Sequence, residues 1–165
     1  MRLLILILLP FLAIFLQSTI FHSYSIKGTV PDLVLVFVVF YAMLSASNRS
    51  VGYGFACGLL EDLYMGRMIG INALAKALIG FIIKRFQGVV FKENIWVGII
   101  AVVIGSLVNA LILFVLSFTS FTVFHVDSHM FTRVFSQTLY NSLLAAPIYV
   151  IYYRIAYSDW MRKNR

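Results

Sequence analysis

Apolar runs separated by short polar breaks occupy nearly the whole chain, at residues 3–21, 31–47, 51–66, 69–83, 95–118 and 131–153. A bilayer span takes about 20 mostly apolar residues, so six such segments use up most of a 165-residue chain. All six read as helices. The other spanning structure, a closed barrel, requires apolar and polar positions to alternate, and residues 3–16 and 107–116 are apolar on both faces. The pattern predicts an all-α integral membrane protein, a bundle of about six transmembrane helices forming a single membrane domain over residues 1–165. No repeat, low-complexity tract or linker interrupts it. Pro10 and Pro147 fall inside helices, where they imply kinks.

Basic residues orient the bundle. With Arg2 inside, alternation of six spans puts Arg49, Lys84, Arg85, Lys92, Arg154, Arg162, Lys163 and Arg165 on the same side. Lys27 and Arg67 remain opposite, and Arg133 stands at a border. By the positive-inside rule both termini are cytoplasmic, and Trp96 and Trp160 then lie at the inner interface. The third and fourth segments are short enough to suggest a re-entrant hairpin. Arg67 opposes that, because at the hairpin tip it would sit at membrane depth for about 2.5–3.5 kcal/mol.

Composition agrees: 62% of residues are hydrophobic, and mean hydropathy is +0.96. The net charge of +7 does not indicate nucleic-acid binding, since only 12% of residues are charged and the basic ones form no stripe. The first run could be mistaken for a signal peptide, but it continues to Phe21, long enough to span. Cys57 is the single cysteine, so no intrachain disulfide forms.

Candidate chemistry concentrates in the third and fourth segments. Gly54, Gly58, Asp62 and Gly66 recur every four residues. Gly54 and Gly58 let another backbone approach closely. Asp62 lies about 17 Å from the inner edge and Lys76 about 9 Å from the outer edge at 1.5 Å per residue, so a hairpin brings them level. They are expected to pair, either as a structural tie or as a functional site, since intramembrane charges are costly unless paired. Glu61 points about 100° away from Asp62, toward another partner. Asp32 follows Pro31 at a helix start, where a proline and a carboxylate have a sufficient local explanation. Gly98, Ala101, Gly105 and Asn109 form one small and polar face, and Gln137, Asn141 and Ala145 another; these are expected interhelical seams. With Gly54 and Gly58, the first of these faces is a candidate groove for a partner helix. His125 and His129 flank Asp127 but lack supporting metal ligands. No metal or cofactor is expected, and the motifs of zinc proteases, serine hydrolases and P-loop proteins are absent.

Pro31-Asp32-Leu33, the stretch Gly54-Phe55-Ala56-Cys57-Gly58-Leu59-Leu60-Glu61-Asp62, and Gly70-Ile71-Asn72-Ala73-Leu74, in this order, resemble the rod shape-determining MreD family. The resemblance covers essentially the whole chain. It implies a non-enzymatic scaffold of the bacterial elongation complex in the cytoplasmic membrane. The implied partners are MreC, MreB, RodA and its cognate transpeptidase, with membrane lipid around the bundle and self-association left open. It also implies a fold like the substrate-binding subunit of energy-coupling-factor vitamin transporters. The motif positions carried over are Pro31, Asp32, Gly54, Gly58, Asp62, Gly70 and Leu74; Lys76 rests on its depth alone. The rival reading, capture of a small molecule between helices, is weakened by the first helix. That class docks its transport partner through closely spaced alanines, and here only Ala13 is present, with Gln17 where a second small residue is expected.

Overall fold

The computed structural model describes residues 2–23, 25, 28–45, 49–66, 69–87, 94–119 and 129–163. Lys27, Arg67, Lys92, His125, Asp127 and Arg165 lie outside the described residues, as do the side chains of Arg2, His129, Trp160, Arg162 and Lys163. The regular structure is all-helical: α1 (Arg2–Ser18), a one-turn α2 (Ile20–Ser23), α3 (Leu33–Leu44), α4 (Ser50–Met65), α5 (Ile71–Phe86), α6 (Ile95–Thr119) and α7 (His129–Lys163). The first apolar run is thus divided at Thr19, and the last helix continues ten residues past the apolar segment into its basic end. Pro10 and Pro147 lie within α1 and α7.

The centre of the fold is α3. Residues 33–43 are buried on every side, and α1, α4, α5, α6 and α7 all pack against it. A helix surrounded by protein has no face to make polar, which is why its sequence is apolar all round. One core cluster joins Val36, Val39, Phe40 and Met43 of α3 to Ile79, Ile83, Val102, Ala145 and Tyr149; a second joins Val34, Phe37 and Val38 to Ala13, Ile14 and Cys57. Phe40 meets the Tyr149 ring edge-on, 5.3 Å between centroids.

At 12 residues, α3 is about 18 Å long, short of the hydrocarbon thickness of about 30 Å. Because α3 is enclosed by protein, its terminal backbone groups need partners from the chain itself. Both ends of α3 are satisfied by side chains. At the start, Leu35 N–H donates to Asp32 Oδ1 (2.8 Å), and Asp32 N–H donates to Asn141 Oδ1 (2.8 Å). At the end, Gln87 Nε2 donates to the carbonyls of Met43 (2.7 Å) and Ser45 (2.9 Å), and Lys84 Nζ to Ser45 O (2.6 Å). Among the described residues, two helices are long and apolar enough to cross a membrane on length and composition alone, over Ile95–Val115 and Phe131–Arg154.

Candidate functional site

The polar residues of α3, α4 and α5 meet beside the N-terminus of α3. Lys76 of α5 is wholly buried. Its Nζ lies 3.1 Å from Asp32 Oδ2 and also contacts Glu61 Oε2 of α4, with both carboxylates about 95% buried. One ammonium therefore ties three helices. Its partners correct the expected pairing with Asp62, and Glu61 supplies the carboxylate on α4.

Asp62 is held by other donors. Its Oδ2 accepts from the N–H groups of Gly70 (2.8 Å) and Ala73 (3.1 Å), and its Oδ1 from Asn72 N (3.2 Å) and Asn72 Nδ2 (2.8 Å). The first N–H groups of any helix lack intrahelical partners, and at the N-cap of α5 stands Gly70, which has no side chain to offer. Asp62 reaches across from the preceding helix to do that work, at the positive end of the α5 dipole. Gly66 and Gly70, at either end of the connection, have φ of 61° and 107°, a conformation that favours glycine.

The position of Asp32 at a helix start accounts for only one of its oxygens; the other is committed to Lys76. Pro31, also buried, offers its carbonyl to Gln17 Nε2 of α1 at 3.0 Å. Asn141 continues the network: besides accepting from Asp32 N–H, its Nδ2 donates to Ser106 Oγ of α6 at 2.9 Å. The cluster thus reaches α6 and α7. Its groups present little to solvent, and what they do is bind helices to one another.

Gly54, Gly58, Gly98 and Gly105 face inward, whereas Gly66 is exposed in the connection. A Cβ on Gly54 would overlap the Lys76 carbonyl, and one on Gly58 the Asn72 carbonyl, both backbone atoms of α5. The groove expected there for a partner helix is filled by this chain's own α5. Gly98 faces the Tyr149 ring of α7, with a Cβ falling 2.6 Å from Cδ2, and Gly105 faces Val39 of α3. Asn109 is buried on α6. Leu74 points outward, half exposed, away from the ions. Sequence reasoning placed Glu61 away from Lys76, and it used Lys84 only for topology. It did not single out Gln87, whose contacts with Met43 and Ser45 lie more than 40 residues away along the chain.

A model of the rod shape-determining protein MreD family matches residues 1–156. Among curated proteins, a rod shape-determining protein MreD from Haemophilus influenzae is 30% identical over 91 residues, 54% of this chain and 56% of that protein. The matched stretch thus spans little more than half of that relative. No solved structure matches the chain.

Proposed function

The chain belongs to the rod shape-determining protein MreD family, and on that premise we propose that it is a non-enzymatic membrane scaffold for lateral wall growth. The single observation that carries this is the family match over residues 1–156. In this reading the whole chain is one membrane domain, and α1 and α3 to α7 cross the cytoplasmic membrane with both termini in the cytoplasm. The bundle binds MreC and helps hold MreB, RodA and its transpeptidase where peptidoglycan is made. A core tied by ions and close glycine contacts suits such a role, since a scaffold must present one fixed surface. The small-molecule reading gains no support: neither the family match nor the relative is a transporter subunit.

The test has two arms. In a rod-shaped bacterium deprived of its own family member, this chain should restore rods, and tagged chain solubilised from those cells should bring down MreC. Rounded cells despite normal insertion would overturn the shape-determining role; rods without MreC recovery would overturn the MreC-binding part.

A further inference from the structure

A cleft of about 370 Å³ lies beside the ion cluster, and Gln17, Asp32, Glu61 and Gln137 supply polar groups to its wall, with Ile14 and Met65 among the apolar ones. Its volume is at the lower end of pockets that take small molecules, about 300–1,000 Å³. The chemistry of the wall is lopsided. Gln17 is oriented by its Nε2 bond to Pro31 O, and that leaves its Oε1 buried without a hydrogen-bond partner. Asp32 and Glu61 share the one ammonium of Lys76, so the ionised cluster carries one negative charge in excess. Asp62 keeps its own negative charge, because its four donors are neutral amide groups, but it is held at the N-terminus of α5 and does not line the cleft. The wall offers acceptors and negative charge; it needs N–H donors and one positive charge, since buried charge is stable when balanced.

A bare inorganic cation answers the charge but not the shape. The cleft is far roomier than a lone ion or water requires, since about 10–15 Å³ of such space already holds one water, and hydrocarbon lines much of it. A primary ammonium has three donors, and methylenes attached to it suit Ile14 and Met65. The cleft also lies at one end of the bundle: Gln17 is near the end of α1, Asp32 immediately precedes α3, and Met65 ends α4.

We propose that this cleft binds a primary ammonium group on a short apolar stem, with an aminophospholipid headgroup the source that best fits its place at the helix ends. Native mass spectrometry of the detergent-purified chain tests this with phosphatidylethanolamine, its trimethylated counterpart phosphatidylcholine, and phosphatidylglycerol. Phosphatidylethanolamine should bind at least about tenfold more tightly than the other two, roughly 1.4 kcal/mol, because a trimethylammonium has no N–H to give. Gln17→Leu, which leaves the ion pairs in place, should reduce that affinity by a similar factor. Should Gln17→Leu fail to insert, Gln137→Leu on α7 is read instead with the same expected loss. Adding butylamine separates the sources. Displacement of the lipid assigns the site to a free amine, retention assigns it to the lipid, and both keep the ammonium chemistry. Equal binding of phosphatidylethanolamine and phosphatidylcholine, or unchanged binding in the variant read, overturns the proposal.

Discussion

Lys76 makes the sharpest residue-level prediction, because one side chain serves two carboxylates. Lys76→Met strands Asp32 and Glu61 and should cost about 3–5 kcal/mol, the usual result of removing one partner from a buried ion pair. Neutralising all three, with Asp32→Asn and Glu61→Gln added, should recover much of that loss, measured by thermal unfolding in detergent. A double-mutant cycle separates the two acids of α4: Glu61 and Lys76 should couple strongly, Asp62 and Lys76 weakly. The reverse order would reinstate the Asp62 pairing. Asp62 and Lys76 were legible in the sequence as unusual for their setting, whereas Asp32 had a local explanation at its helix start and Glu61 only an unnamed partner; which of the four meet was not legible. Counting residues from a membrane edge gives depth, and Asp62 and Lys76 are close in depth. It does not give the direction a side chain faces, and the 100° between Glu61 and Asp62 decides which acid meets the lysine. Nor could depth reveal that the N-terminus of α5 was short of acceptors and would claim Asp62 for itself.

Between elements, the closeness of α4 and α5 rests on glycines meeting backbone. Gly58→Ala and Gly54→Ala should each lower the unfolding temperature markedly, because the carbonyls of Asn72 and Lys76 cannot turn aside without bending α5. Gly98→Ala should be milder, since its neighbour is a tyrosine ring that can rotate. Equal losses at Gly58 and Gly98 would contradict this. The C-terminus of α3 gives a second test: Gln87→Leu removes the side-chain donor to Met43 O, while Ser45 O keeps Lys84 Nζ, and an unsatisfied buried carbonyl costs about 1–3 kcal/mol. Unfolding temperature reads this too, and no change in Gln87→Leu would show the Met43 carbonyl to be satisfied otherwise. The approximate places of the long helices were legible from hydropathy. Their ends were less so, because hydropathy does not register a cap. Asp32 starts α3 two residues late, the extended Ser45 closes it early, and α7 runs on through polar residues that a helix tolerates outside hydrocarbon.

For the whole molecule, the proposed topology is checked with single cysteines in a Cys57→Ser background. One at Ser128 should react with an impermeant thiol reagent in intact cells, and one at Lys163 should be shielded. Reaction at Lys163, or none at Ser128, would refute six spans with both ends inside. Cys57 is buried, so its own thiol is shielded from the reagent, and replacing it removes what labelling remains. The expectation of about six helices came from the apolar runs and their lengths, with charge setting only the orientation, and the central α3 shows where that reasoning stops: an apolar run of 12 helical residues is equally what a helix buried on every side by its neighbours requires.

The ion cluster also sets a timetable. Asp32 leaves the ribosome 44 residues before Lys76, an interval of about 2–9 s at 5–20 residues per second, and Glu61 emerges within it. In the proposed six-span topology two acids enter the translocon during that interval with no lysine to meet them, and α3 and α4 are then expected not to settle into lipid as a finished pair. A nascent chain halted after Met65 should be cleared quickly by membrane proteases, while one halted after Phe86 should persist. Equal half-lives in a pulse-chase would show that insertion does not wait for α5.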